Sequence, residues 1–334
     1  MVDLLKQLCL IDGTSGDESA VREFVISQIK DYCQYSVDNL GNIIAFKKGR
    51  LTPNKKILID AHLDEVGLII THIDANGFLR FKTVGGIDTA ALMFRRVLIN
   101  GKTLGVIGGK PVHLCDGDER KKLPSADSLY IDIGATNDKE AQTLVCVGDC
   151  AVMCSDFTQL GDKILSKALD DRIGCAILID LLKQDSQYDF YASFSVQEEI
   201  GLRGAGVAAF SVEPDAAIVI DGTTAADVAG VAESKRVCAQ GEGAVVSFMD
   251  GATSYDREYY NAALASEIPA QSKCAVAGGN NAGAIHVSRG GVRTLALSVP
   301  CRYIHTSGST CDMRDVIAVR DLTKYMIIKI ASEL

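Results

Sequence analysis

Four short apolar runs in this chain each lead into a side chain that can hold a cation or move a proton. Residues 57–61 run into His62, 190–196 into Glu198 and Glu199, 216–220 into Asp221, and 294–298 into a segment that ends at His305. Runs of this length read as buried strands, and single helical patterns lie between them: from Asp171, over 203–210, around 255–266, and from about Asp315. Strands separated by single helices imply an α/β fold, a three-layer α/β/α arrangement whose sheet carries helices on both faces. Such sheets bind ligands beyond the carboxyl ends of their strands, which is where these polar residues fall. Ahead of them the spacing predicts a helix over 4–10 and a second one starting at Ser15-Gly16-Asp17, with Val21, Phe24, Val25 and Ile29 on its apolar face. Strands at 35–37 and 43–46 follow, joined by the turn Asp38-Asn39-Leu40-Gly41-Asn42.

From residue 68 to about 156 the texture changes. Strand-like runs are punctuated by Asn76-Gly77 and Asn100-Gly101, and the single convincing helix is capped by Asn137 with Glu140 three residues on. Residues 67–159 therefore read as a β-rich unit, PDZ-like or barrel-like, inserted into an α/β domain made of 1–66 and 160–334. The charged run Asp116-Gly117-Asp118-Glu119-Arg120-Lys121-Lys122 reads as a solvated loop.

Composition narrows the partners. A net charge of −9 argues against nucleic acid or an anionic membrane as the main partner, since both favour a basic face. No apolar run approaches the ~20 residues that span a bilayer, and Met1-Val2-Asp3-Leu4-Leu5-Lys6 lacks the pattern of a signal peptide, so a cytoplasmic location is expected. The 11 cysteines, an odd number scattered through apolar segments, fit reduced side chains better than a disulfide framework. Cys146, Cys150 and Cys154 sit in a strand-like run and read as packing residues rather than a zinc site.

Lys167-Ala168-Leu169-Asp170-Asp171-Arg172-Ile173-Gly174 places two adjacent carboxylates at the start of an apolar helix. One reading is an Asp-Asp helix cap; the other is a pair of divalent cations bridged by Asp170, with Arg172 and the helix N-terminus adding positive charge. His62 and Asp64, two apart on a strand end, point to one side, which suits a metal-ligating histidine oriented by a neighbouring carboxylate. The pair Glu198-Glu199 divides naturally into a ligand and a general base. Two histidines and three carboxylates satisfy a dinuclear site if each cation takes one histidine and one unshared carboxylate while the third carboxylate bridges. Nitrogen and oxygen ligands without thiolate suit zinc or cobalt. His72, His113 and His286 lack carboxylates at useful spacing and read as structural.

Together His62-Leu63-Asp64-Glu65-Val66-Gly67, Ala168-Leu169-Asp170-Asp171-Arg172-Ile173-Gly174, Gln197-Glu198-Glu199-Ile200-Gly201-Leu202-Arg203-Gly204-Ala205 and Arg302-Tyr303-Ile304-His305 resemble the co-catalytic metallo-aminopeptidases of the tetrahedral (TET), glutamyl-aminopeptidase and deblocking-aminopeptidase type. Ser15-Gly16, the Asp38–Asn42 turn and Tyr130-Ile131-Asp132-Ile133-Gly134-Ala135 extend the resemblance over nearly the whole chain. It implies His62 and Asp221 on one metal, Glu199 and His305 on the other, and Asp170 bridging. Glu198 is then the general base of a bridging-hydroxide peptide hydrolysis, and Asp64 orients His62. It also implies a cis peptide between Asp170 and Asp171, and an insert through which subunits dimerise and twelve of them build a hollow tetrahedral particle. The chain departs from the pattern at Gly222, at Asn280-Asn281 and at Thr306-Ser307, none of which removes an implied ligand.

Other two-metal amide hydrolases, carboxypeptidases and N-acyl deacylases, place their second domain after the ligating glutamate. Here it falls between His62 and Asp170. A glycanase would need carboxylates flanking a sugar and aromatic platforms, and the chain has no Trp. A non-catalytic peptide-binding shell would be signalled by a lost ligand or a lost Glu198.

Overall fold

In the computed structural model, which describes residues 1–334, the four apolar runs lie side by side at the centre of one sheet. Phe190–Ser195, Ile57–His62, Ala216–Thr224 and Arg293–Arg302 are mutually parallel in that order. Antiparallel strands widen it, Ile43–Lys47 and Gln34–Val37 at one side, and Ser309–Asp312, Lys163–Ser166 and Thr158–Leu160 at the other. With Ala244–Val246 and Ala270–Ser272 attached near Arg293–Arg302, the mixed sheet has 11 strands.

Alternation of side chains along each strand divides the core. Ile57, Ile59, Ala216, Ile218 and Ile220 pack on one face against the helices Val2–Leu10, Ser19–Ile29, Leu169–Lys183 and Met313–Ser332. Leu58, Ala217, Val219 and Ala296 pack on the other against Arg203–Val212 and Ala282–Ile285. The result is the expected α/β/α sandwich, and no helix in it is long and apolar enough to cross a membrane.

Between Ile57–His62 and Lys163–Ser166 the chain leaves the sheet. Gly67–Ile73, Leu79–Val84, Tyr130–Asp132, Thr103–Gly108, Arg96–Ile99 and Cys150–Met153 close into an antiparallel barrel with its own core of 15 residues, Leu68, Phe81, Ile99 and Ile131 among them. Of the two shapes expected for the β-rich unit, the barrel is the one formed, and its closure removes the exposed edges an open sheet would leave. Asn137 caps the helix Asp138–Gln142 through Glu140 N, whereas the Glu140 carboxylate reaches back to Thr136 instead of to Asn137.

Several boundaries differ from the sequence reading. The second helix starts at Ser19, not at Ser15-Gly16-Asp17, because Thr14 bridges to Glu65 and the Ser15 hydroxyl donates to Asp64 at 2.6 Å. The helix expected over 255–266 is confined to Arg257–Leu264, since Asp256 caps it by accepting from Glu258 N and Tyr259 N. Thr158 and Gln159, assigned with the insert, pair with Leu165 and Ile164 in the main sheet. All 11 cysteines are unpaired, as expected, but Cys146 is exposed and does not pack.

Ala216–Thr224 runs four positions past residue 220, so Asp221 sits inside a strand. Its pairing with Arg293–Arg302 continues to Thr224↔Cys301, while its pairing with Ile57–His62 stops at Val219↔Asp60. The two central strands separate there, and the gap between them is where the polar residues collect.

Candidate functional site

The first two turns of Leu169–Lys183 give the two adjacent aspartates different tasks. Ala168 is left-handed at φ 54°, and Asp170 and Asp171 are non-helical, joined by a cis peptide. Asp171 is the cap: its carboxylate accepts from Gly174 N at 3.0 Å and from His62 N at 3.2 Å. A Cβ on Gly174 would lie 2.4 Å from that carboxylate, so the position needs glycine. Asp170 turns toward the gap instead. The cap reading is thus met by Asp171, and Asp170 is left free to face the histidines. Arg172 does not offset either charge. It is fully buried and turned away, donating to the main-chain oxygens of Leu8, Ile11 and Leu63, where a fork of donors satisfies the carboxyl end of Val2–Leu10.

Every residue that the sequence nominated for the site is in one cluster. His62 Nε2 lies 3.4 Å from Asp170 Oδ1 and 3.8 Å from Asp221 Oδ1. His305 Nε2 lies 3.5 Å from Asp170 Oδ2 and 3.2 Å from Glu199 Oε1. One carboxylate therefore offers one oxygen to each imidazole. The other ring nitrogens face carbonyls, His62 Nδ1 that of Asp64 at 3.0 Å and His305 Nδ1 that of Gly86 at 2.7 Å. A carbonyl only accepts, so each Nδ1 carries a proton and each Nε2 is turned to a carboxylate oxygen.

Asp64 does more than sit beside His62. Its carboxylate, 3.4 Å from the ring, accepts from Ser15, from Glu198 N at 3.0 Å and from Glu199 N at 3.1 Å, so it ties the histidine strand to the backbone of the two glutamates. Gln197 at φ 58° and His305 at φ 60° are held in the left-handed region, uncommon for residues with a Cβ, at the two points where the chain must aim a side chain into the gap.

The electrostatics are those of crowded acids out of water. Burial, aided by Asp170, Asp171 and Glu198, lifts Asp221 well above the usual carboxylate range. Burial, with Glu199, Asp170 and Asp64 adding to it against the pull of His62, lifts Glu198 to about 8. Burial also opposes the charge on Asp170, but His305 and His62 outweigh it and hold this carboxyl far down. In the histidines burial favours the neutral ring; Asp170 and Glu199 overcome it and raise His305 to about 11, and Asp170 and Asp64 raise His62 well above its ordinary value. Protons thus collect on the imidazoles wherever no other cation offsets the acids.

Some contributors carry no pattern a sequence reader could use. The Gly86 carbonyl is main chain and belongs to the barrel segment, 219 positions before His305. Beneath the cluster, buried Asp60 accepts from Ser193, Ser195 and Asn281, a network that spans two strands and the N-terminus of the helix Ala282–Ile285. Alongside opens a cleft of about 340 Å³, lined by Glu198, Asp221, Thr223, Thr224, Lys273 and Asn280 among others. His286 bonds its own helix at Ala282 O, and His72 and His113 lie exposed on the barrel, all three away from the cluster.

Known proteins give this fold a class: it is that of aminopeptidases. The solved aminopeptidase of the archaeon Desulfurococcus kamchatkensis superposes with a TM-score of 0.93 at 33% identity, covering 100% of this chain and 94% of that one. The Pyrococcus horikoshii TET1 peptidase, which can assemble into a tetrahedron or a large octahedral shell, superposes with a TM-score of 0.85 at 34% identity over 100% and 99% of the two chains. A putative aminopeptidase of Acetivibrio thermocellus is 39% identical over 323 residues, 95% of each chain. The M42 glutamyl aminopeptidase model matches residues 41–322, and the chain belongs to that family. The match begins before His62 and ends after His305, so it takes in every nominated residue.

Proposed function

We propose that this chain is a metal-dependent aminopeptidase that removes the N-terminal residue of a peptide, using His62 and Asp221 for one divalent cation, His305 and Glu199 for a second, and Asp170 between them. One observation carries this reading. Asp170 Oδ1 and Glu199 Oε1 are buried without a hydrogen-bond partner, each facing an imidazole Nε2 whose ring keeps a proton on its other nitrogen for a carbonyl, so that this Nε2 is left to a second proton or to a metal ion. Carboxylates crowded in a dry place need positive charge beside them, which the imidazoles supply by binding protons and metal ions would supply in their place. Asp170, Glu199 and His305 offer ligand atoms that all lie within 4.8 Å of one another. His62, Asp171 and Asp221 form a similar group, but both Asp171 oxygens already accept from backbone N–H, which favours Asp170 as the shared ligand. Nitrogen and oxygen donors without thiolate suit zinc or cobalt.

Divalent cations bound there would supply Lewis acidity toward the scissile carbonyl and a water of lowered pKa. The chain's own residues do the rest. Glu198 is held through its N–H by Asp64, its carboxylate makes no hydrogen bond, and it lines the cleft. From there it takes a proton from the attacking water and returns it to the leaving amine. Asp64 and the Gly86 carbonyl fix the two rings and their tautomers.

The barrel and its loops, 67–157, we assign to self-association, up to a tetrahedral dodecamer. Phe94, Val112, Leu114, Leu123 and Val147 are exposed on it, an apolar display that a monomer has no use for.

Removal and return of metal tests the reading. Protein stripped by a chelator should not hydrolyse aminoacyl-4-nitroanilides, and cobalt or zinc should restore hydrolysis of substrates with a free amine while N-acetylated ones stay intact. Because the imidazoles hold protons until a cation displaces them, metal addition should release protons into a weak buffer, and affinity should rise with pH. Activity that survives metal removal, or cleavage confined to N-acetylated substrates, would overturn it.

A further inference from the structure

The backbone that carries Glu198 and Glu199 belongs to neither strand nor helix. Phe190–Ser195 ends before it and Arg203–Val212 begins after it, so its N–H groups must find partners elsewhere. Four in succession find them on side chains. Val196 N donates to Asn42 Oδ1 at 2.9 Å, Gln197 N to Glu18 Oε1 at 3.1 Å, and Glu198 N and Glu199 N to the two oxygens of Asp64. Asp64 also faces the His62 ring, and Asn42 also bonds Asp38 and the Gly204 carbonyl. Glu18 is harder to explain. It stands at the N-cap position of Ser19–Ile29, yet its side chain does not cap that helix. It is 3% exposed, a degree of burial that glutamates rarely reach unless paired, and no cation pairs with it. Its Oε1 accepts from main chain alone, from Gly16 N at 2.8 Å and from Gln197 N, 179 positions on. Gln197 is the residue directly before the proposed base, and its φ of 58° is a conformation that persists only where the surroundings fix it.

We propose that Glu18 is a positioning residue for Glu198: by holding the Gln197 N–H it fixes the left-handed turn that aims the Glu198 carboxylate into the cleft. The inference rests on the aminopeptidase reading above, in which Glu198 is the base. Without an acceptor at this place the Gln197 N–H loses its partner and the turn relaxes, which swings the residue that follows. The Glu199 N–H stays on Asp64, and Asp64 stays on the Ser15 hydroxyl, so the displacement falls on the base and not on the side chains proposed as ligands. Ser15 and Glu18 are then two ends of one strap, the first holding the histidine side of the site through Asp64 and the second holding the base.

The test measures kcat, KM and bound metal for variants of Glu18 on an aminoacyl-4-nitroanilide with a free amine. Glu18→Met fills the space without a strong acceptor and should lower kcat on the order of 10- to 100-fold, the scale of a small misplacement of a reacting group, with KM and metal per subunit as in wild type. Glu18→Gln keeps an oxygen for the two N–H groups and should recover most of that loss. Glu18→Asp keeps the charge but falls a methylene short, so it should be slow like Glu18→Met. Should Glu18→Met not fold, the contrast between Glu18→Gln and Glu18→Asp still decides, and rates referred to bound metal leave unfolded protein out of the comparison. Turnover indistinguishable from wild type in Glu18→Asp or Glu18→Met, Glu18→Gln as slow as Glu18→Asp, or metal lost in step with kcat would overturn the positioning role. Glu198→Gln run in parallel tells the two readings apart: if it keeps full turnover, the assignment of the base fails and the role of Glu18 with it, whereas an inactive Glu198→Gln beside fully active Glu18 variants removes the role of Glu18 alone.

Discussion

Asp170 and Asp171 differ by one position and by nearly everything else. One accepts from two backbone N–H groups and seats the helix, and the other aims both oxygens at histidines. A sequence can propose either role for such a pair but not divide them, because the division is made by two backbone torsions and a left-handed Ala168. Glu198 and Glu199 pose the same problem, and here mutation can separate them. Glu198→Gln keeps shape and leaves the ligands intact, so metal content should stay and turnover should fall at least ~10²-fold. Glu199→Gln removes a charged ligand, so metal content and turnover should fall together. Metal analysis and initial rates on the same preparations decide it; metal loss in Glu198→Gln with retention in Glu199→Gln would reverse the assignment. The clustered side chains were legible because histidines and carboxylates recur together at the ends of four strand-like runs, although each alone could be an ordinary loop residue. Gly86 was not, being a carbonyl that every residue possesses.

At the level of elements, the strands and helices were readable from periodicity, and the misjudged boundaries share a cause. Ser15 looked like a helix start by its residue type, but its hydroxyl is claimed by Asp64 and its neighbour Thr14 pairs with Glu65, across 49 and 51 positions of sequence. Tertiary partners outbid local propensity where the chain approaches the site. Close packing at the start of Leu169–Lys183 leads to a paired prediction. Gly174→Ala forces a Cβ against the Asp171 carboxylate and should destabilise by about 1–3 kcal/mol. Gly206→Ala, within Arg203–Val212, meets only Ala284 Cβ at 3.6 Å and should be neutral or stabilising by up to about 1 kcal/mol. Denaturant midpoints of the two variants that coincided would sink the packing account of Gly174.

For the whole molecule, the change of texture at residue 68 was enough to mark an insert, while its closure into a barrel depended on strand pairings that no local pattern records. A chain whose barrel exposes this much apolar surface should not stay alone in water. Light scattering at micromolar concentration should report an assembly built from dimers. A strict monomer would refute the role given to the barrel, and a stable dimer would limit it to the first step of assembly.

The hydrogen bond from His305 to Gly86 has a consequence for anyone who would take this protein apart. An excised α/β sandwich would keep all the side chains proposed as ligands, yet His305 would lose the acceptor that fixes its tautomer and its ring plane. A chimera carrying a foreign barrel would inherit the same defect unless the donor's backbone brought a carbonyl to the same place. The seam between the two modules therefore runs through the reactive centre itself, and the barrel cannot be treated as a detachable handle.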